Sequence, residues 1–203
     1  MSSTQPLSRE KIAAAAIAIA DAEGIASVSM RRIAQDLGVG TMSLYYYVKT
    51  KGDLIAAMDD AIMAEVVALS LPANWRAALV AIATRTRDAL MRHPWALHSM
   101  LAVAPGVNAM RHFEQCLQAL AQTALTSKEK FTLLATLDDF VFGYALREAA
   151  ADKKVDLDFA KAQLATGQYP RLAEVFGEGR VPVSSDRFQL GLGLILDMVA
   201  ESS

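Results

Sequence analysis

Three observations make this chain an all-α protein. Apolar residues form 53% of its 203 residues, with Ala, Leu and Met prominent, a mixture that favours packed helices over sheets. Pro is scarce, and β-branched residues never form a sustained alternating run of the kind a strand needs. Apolar positions recur instead three and four apart, in segments punctuated by Gly, Pro and capping residues. A charged fraction of 21% beside that apolar content excludes general disorder.

The elements follow in order. After a polar stretch, Ser8 is an N-cap with Glu10 in the first turn, and Ile12, Ala16 and Ile19 make the apolar stripe of a helix that Gly24 ends. The run Ile12–Ala20 behind Arg9 and Lys11 superficially resembles a secretory signal. Glu10 within the basic region and Asp21 and Glu23 directly after the run favour an ordinary first helix. A second helix opens at Ser29, buries Met30, Ile33, Ala34 and Leu37, and stops at Gly38; a third begins near Thr41 with Leu44 and Val48 inward. Three helices in about fifty residues, the last two joined by Leu37-Gly38-Val39-Gly40, describe a helix-turn-helix. A fourth helix runs from Lys51 to about Leu71, where Pro72 closes it. Further helices are expected over 74–93, 95–103, 105–125, 127–150 (capped by Ser127), 157–166 and 185–201, with one short helix inside a loop over 169–183.

The net charge of −2 hides an asymmetry. Residues 1–54 carry six basic and five acidic side chains, the remainder fourteen and seventeen, a distribution whose sign suits a nucleic-acid-binding end and a more acidic sensor end. The single cysteine, Cys116, excludes an intrachain disulfide and suits a cytoplasmic location. No apolar run approaches the roughly 18 residues of a membrane span, so no membrane partner is expected.

With Leu44 and Val48 inward, Met42 and Tyr46 point directly outward on the third helix, flanked by Thr41, Ser43 and Tyr45, with Lys49 and Lys51 just beyond. An ordinary surface helix would carry Glu and Lys there. Hydroxyls and phenols donate to phosphate oxygens, lysines neutralise charge, and Met42 suits a thymine methyl. Arg31 and Arg32 project from the second helix, where one could contact guanine. Taken alone, the residues also fit a tyrosine packing cluster with solvated arginines; Tyr47 is the one expected to pack inward beside Leu44.

The segment Val28-Ser29-Met30-Arg31-Arg32-Ile33-Ala34-Gln35-Asp36-Leu37-Gly38-Val39, followed by Ser43-Leu44-Tyr45-Tyr46-Tyr47-Val48-Lys49-Thr50-Lys51, resembles the DNA-binding signature of the TetR family. The likeness runs over residues 8–60. It implies a three-helix DNA-binding domain over 1–54 and a helical ligand-binding and dimerisation domain over 55–203. It implies base contacts from Arg31, Thr41 and Met42, phosphate contacts from Ser29, Ser43, Tyr45 and Lys51, and a groove-facing Tyr46. Gly40 and Met42 depart from the tetracycline repressors, so the operator sequence does not carry over.

The remainder resembles the tetracycline-repressor-like C-terminal class more weakly, through His93-Pro94-Trp95, Pro105, Phe113-Glu114, Gly143-Tyr144-Ala145-Leu146-Arg147-Glu148 and the helix over Gly191–Met198. Tetracycline repressors hold a magnesium–drug chelate with a histidine and a threonine shortly before a proline. Here Met100, Val103 and Ala104 precede Pro105, leaving no oxygen ligands for a hard cation. No cofactor or metal is expected; His112 and Cys116 lie four apart on one helix, but without further donors Cys116 reads as a small buried hydrophobe. The resemblance implies an apolar pocket from Trp95, Met100, Leu101, Met110, Phe113, Leu117 and Leu134, with Thr86, His98, Asn108 and Asp138 as polar groups able to orient a ligand. It also implies a homodimer through a bundle of the 127–150 and 185–201 helices, with Leu137, Val141, Gly143, Phe188, Gly191, Leu192, Ile195 and Val199 at the interface.

The expected function is a transcriptional repressor holding a palindromic double-stranded operator and released by a small, largely apolar effector. An activator or a ligand-independent DNA binder would share every DNA-facing residue. An enzyme is the remoter alternative, since no Ser/His/Asp set, His-Glu metal motif or phosphate-binding glycine loop is visible.

Overall fold

The computed structural model describes residues 6–100, 104–150, 157–177 and 184–200, and among them every regular element is a helix. Residues up to Leu146 form one compact unit and those from Arg147 a second.

In the first unit α1 (Arg9–Glu23) starts where Ser8 accepts from the Lys11 amide at 3.2 Å and ends at Gly24, whose φ of 86° takes the chain out of the helix. A 3-10 turn, Ile25–Ser27, leads to α2 (Met30–Leu37), capped by Ser29 accepting from the Arg32 amide. Gly38 sits in the left-handed region at φ 65°, and the amides of Gly38 and Val39 return to the carbonyls of Gln35 and Ala34. That closed turn aims the five-residue α3 (Thr41–Tyr45), anchored by the fully buried Leu44 and Val48.

Next comes α4 (Lys51–Val66), opened by a reciprocal cap in which Thr50 and Asp53 exchange side-chain and amide bonds at 3.0 Å. It stops five residues before the expected Leu71. The guanidinium of Arg85 donates to the carbonyls of Glu65 and Val66, and the Gln115 side chain pairs with both backbone groups of Ala68. Side chains from distant helices thus satisfy the groups a longer helix would have used, which local periodicity does not reveal.

Asn74 caps α5 (Trp75–Arg92), and the short α6 (Ala96–Ser99) follows His93-Pro94. The next helix, α7 (Val107–Ala119), takes its cap from another element: Asp60 on α4 accepts from the Asn108 amide at 2.8 Å and from the Asn108 side chain at 3.0 Å. Gly106 makes this possible, because a Cβ there would collide with the Asp60 carboxyl and its Cβ. The longest helix is α8 (Ser127–Ala149); its cap is Thr126, in a reciprocal pair with Glu129, one residue before the expected Ser127. Helix α4 packs on α1, α5 and α7.

The second unit contains α9 (Leu157–Ala165) and α10 (Pro170–Gly177), which pack together, and α11 (Ser184–Ala200). Among the described residues no helix is long and apolar enough to cross a membrane.

No break in packing falls at residue 54. The core that holds Ile12, Ile33, Leu44 and Val48 continues through Leu54, Ala57 and Met58 of α4. Replacing Gly106 by Ala should dislodge the Asp60 cap and lower stability by about 1–3 kcal/mol in urea unfolding; an unchanged midpoint would show that Asp60 can move aside.

Candidate DNA-binding face and ligand cavity

The helix-turn-helix presents one continuous set of groups. Met42 and Tyr46 are 81% and 83% exposed, the outward pair that burial of Leu44 and Val48 dictates. Ser29, Arg31, Thr41, Tyr45 and Lys51 line a single groove of about 380 Å³ between the starts of α2, α3 and α4. Ser43 is exposed beside them. Arg31 is exposed and engaged by no hydrogen bond or ion pair among the described residues, whereas Arg32 is clamped between Glu23 at 2.8 Å and Asp36 at 3.2 Å. Of the two arginines, the geometry therefore leaves Arg31 for a ligand. Tyr47 departs from its expected inward packing: it is 37% exposed and meets the Tyr46 ring edge-on, because α3 ends at Tyr45 and the chain turns before a further helical position can bury it.

A cavity of about 340 Å³ opens among α4, α5, α7 and α8, within the roughly 300–1,000 Å³ of small-molecule sites. Of the residues expected there, Thr86, Met100, Met110, Phe113 and Asp138 line it. Leu134 lines a small annex of about 20 Å³ that shares Thr86, Phe113 and Asp138 with it. Trp95, His98, Asn108 and Leu117 do not line it, and Leu101 lies outside the described residues. Trp95 packs against the helix-turn-helix core and donates its indole N–H to Asp21 at 2.8 Å. Asn108 is committed to Asp60, and His98 is exposed. All three carry residue types that suit a pocket; the partners of Trp95 and Asn108 are tertiary and left no local trace.

The sequence reading missed Asp59, Asp60, Met63, His112 and Phe142, all on the cavity wall. Asp59 left a usable signal, an acid set within the apolar stripe Ile55, Met58, Ile62 and Val66 of α4. It is only 7% exposed; Ser99 donates to its Oδ1 at 2.7 Å, and Oδ2 has no partner among the described residues. Burial pushes its carboxyl up to about 6, against the Ser99 hydrogen bond that favours the charged form. Asp138 lines the cavity yet keeps its side chain exposed to solvent; partial desolvation, and then the adjacent Asp139, push its carboxyl up to about 6 as well. His112 is 8% exposed, its Nδ1 is unpartnered, and burial lowers its pKa, so the ring is neutral at pH 7. Thr86 gives its hydroxyl proton to the Ile82 carbonyl at 3.0 Å and keeps its oxygen as an acceptor.

Cys116 lies 3.9 Å from His112 Nε2, and its thiol is pushed by burial, then by Asp138, up to about 12. It stays protonated and unreactive. Among the described residues no three His, Cys, Asp or Glu side chains converge as metal ligands.

Comparison with known proteins places this geometry in a family. Residues 12–58 match the model described as bacterial regulatory proteins, tetR family, and residues 70–202 match the tetracyclin repressor-like C-terminal domain. The chain belongs to the TetR family. It is 36% identical to the HTH-type transcriptional repressor DrrR1 of Streptomyces coeruleorubidus, over 94% of this chain and 76% of that one. Identity to the class E tetracycline repressor protein of Escherichia coli is 25%, over 72% and 71% of the two chains. The crystal structure of the TetR family protein ActR of Streptomyces coelicolor in complex with actinorhodin superposes with a TM-score of 0.81 at 26% identity, covering 98% of this chain and 97% of that one.

The expected dimer residues divide by burial. Leu137, Val141, Phe188 and Leu192 are already buried within the single chain. Leu137 and Val141 line the annex with Leu79 and Ile82 of α5, so their stripe faces the chain's own core. Gly143 is exposed, Gly191 and Ile195 are half-buried, and the side chain of Val199 lies outside the described residues. Among the described residues, the large apolar side chains left open on these helices include Phe131 and Leu146 of α8 and Leu190 and Leu194, four apart, of α11. Periodicity finds a stripe but not which neighbour covers it.

Asp59 also sets a stability test. Its folded pKa, about 6, lies above the ordinary 3.8, so the folded state holds the proton more tightly. That contribution is complete below 3.8 and disappears as pH rises towards 6. Asp59→Asn, which can still accept from Ser99, should raise stability at pH 7.5 by on the order of 1 kcal/mol, with about 3 kcal/mol as the ceiling. The gain should vanish near pH 4. Melting curves at both pH values check it; an equal gain at both would mean that charge burial is not the cause.

Proposed function

We propose that this protein is a homodimeric DNA-binding repressor whose hold on a palindromic operator is released by a small, largely apolar effector in the α4–α8 cavity. The observation that carries the reading is the position of α4. Leu54, Ala57 and Met58 belong to the core beneath the helix-turn-helix, while Ala56, Asp59, Asp60 and Met63 of the same helix form the cavity wall. A ligand that reshapes the wall acts directly on the support of the DNA-binding face.

Arg31, Thr41 and Met42 are the base-reading side chains in this reading; Ser29, Ser43, Tyr45 and Lys51 hold phosphates, and Tyr46 faces the groove. Two such faces, about 34 Å apart, would meet successive major-groove turns. The open apolar side chains of α8 and α11 supply surface for a second copy. The effector shifts the equilibrium only by its affinity difference between operator-bound and released forms, and a hundredfold loss of operator affinity needs about 2.7 kcal/mol of such difference. ActR, whose structure contains actinorhodin, supports a small-molecule occupant of this kind. Transcription regulation by a non-enzymatic, cytoplasmic protein completes the reading.

Fluorescence anisotropy with DNA from the protein's own promoter region tests it. Compounds that raise the melting temperature through the cavity should weaken operator binding; if every such compound leaves operator affinity unchanged, release by an effector is wrong. On the DNA side, Arg31→Ala should cost about 1–3 kcal/mol and relax preference at one base position. Lys51→Ala should weaken binding to all sequences and lower the slope of log affinity against log salt by about 0.9. Unaltered affinity and slope in both variants would remove the DNA-binding face from this surface.

A further inference from the structure

The cavity is apolar in area but one-sided in charge. Asp59 from α4 and Asp138 from α8 line it, and among the described residues no Lys or Arg does. Asp60, the third acid on the wall, is consumed by capping α7 through the Asn108 amide and side chain. His112 is neutral, so it offsets neither of the other carboxylates. Thr86 has already given its proton to Ile82 and offers only lone pairs. Both Asp59 Oδ2 and His112 Nδ1 are buried with no partner among the described residues. Asp59 and Asp138 thus meet a ligand as carboxylates and Thr86 as an acceptor, while His112 Nδ1 donates or accepts according to the ring's tautomer.

An unpartnered carboxylate oxygen in such a site is costly and calls for a compensating group. A metal ion is a poor candidate, since no three ligating side chains converge among the described residues. Most of the rest of the wall, with Ala56, Met63, Met100, Met110, Phe113 and Phe142, wants hydrocarbon or an aromatic plate. An ammonium group satisfies the remaining demands together, since it carries a positive charge, donates two or three hydrogen bonds and has no lone pair to set against the acids.

We infer that the effector is an amphiphilic organic cation, an apolar or aromatic body bearing a protonated amine seated against Asp59 and Asp138. This rests on the reading of the cavity as the effector site. Carboxyls at about 6 are mostly ionised at pH 7, and a bound ammonium would hold them so.

The test uses the full-length protein and three fluorescent probes that share one ring system: 9-(aminomethyl)anthracene, 9-anthracenemethanol and 9-anthracenecarboxylate. The amine should bind at least tenfold more tightly than the alcohol, with the carboxylate weakest. Asp59→Asn and Asp138→Asn should each cut the preference for the amine over the alcohol to threefold or less, with the alcohol little affected. Glu114→Gln, exposed and outside the cavity lining, should leave that preference intact. Melting curves verify folding, and Asp138→Asn serves as the second variant if Asp59→Asn does not fold.

An alcohol that binds as well as the amine, a carboxylate that binds best, or a preference that survives in both Asn variants overturns the cation site. Failure of all three probes to bind overturns it too. Adding operator DNA separates this inference from the reading beneath it. Selective amine binding without loss of operator affinity supports the cation site and removes the effector role. Equal binding by all three probes with operator release does the reverse.

Discussion

One rigid helix has to satisfy two cores at once, and the rest of the molecule is arranged around that constraint. Over Lys51–Val66, α4 places Leu54, Ala57 and Met58 beneath the helix-turn-helix and Ala56, Asp59, Asp60 and Met63 against the cavity. Asp59 lies only about 12 Å along the axis from Lys51, which lines the groove at the DNA-binding face. Interiors packed to crystal-like density do not absorb a shift by compressing, so a change at the wall has to move something. Both ends of α4 are held by side chains. Thr50 and Asp53 close its start, and Arg85 from α5 closes its end. A helix tied at both ends moves as a body, which suits transmission better than a helix that frays.

Polar groups in the cavity pull in the opposite direction from stability. A wall built for folding alone would replace Asp59 with Leu or Met and leave no bare carboxylate oxygen. The molecule keeps the acid and orients one oxygen with Ser99, while the other finds no partner among the described residues. Asp60, next in sequence, shows the alternative fate of a carboxylate on the same helix, because the amide of Asn108 takes up its charge. Two adjacent acids thus play different parts, one structural and one held open, and the difference comes from which backbone donors each can reach.

The helix-turn-helix was legible in the sequence because its determinants are local. Ser8, Ser29, Gly24 and Gly38 act on amides and dihedrals within four residues of themselves, and the burial of Leu44 and Val48 forces Met42 and Tyr46 outward. The cavity was only half legible because its determinants are not local. Thr86, Met100, Met110, Phe113 and Asp138 carry suitable side chains on the right helices, yet so do Trp95 and Asn108, which distant Asp21 and Asp60 draw away. The end of α4 was overrun for the same reason, since Arg85 and Gln115 are remote in sequence. Asp59 is the instructive omission: an acid on an apolar stripe is a local signal, and its meaning is set by what surrounds it.

A second link between the DNA-binding helices and the sensor helices limits how α4 can move. Asp21, near the end of α1, accepts from the Trp95 indole at 2.8 Å and pairs with His93 Nδ1 at 2.8 Å, while Nε2 at the other edge of that buried ring lies 3.4 Å from Glu65 of α4. Arg92 holds the same Glu65 at 2.6 Å. The C-terminal end of α5 is therefore tied to α1 and to the last turn of α4 together. Met100, four residues after Ala96 and joined to it by a 3.0 Å backbone bond, stands on the cavity wall. An occupant that displaces Met100 pulls on the short segment holding His93 and Trp95, and through Asp21 on α1. The cavity thus reaches the helix-turn-helix by two routes, along α4 and across His93, and a shear that moves α4 relative to α1 has to break or carry along the Asp21 pair.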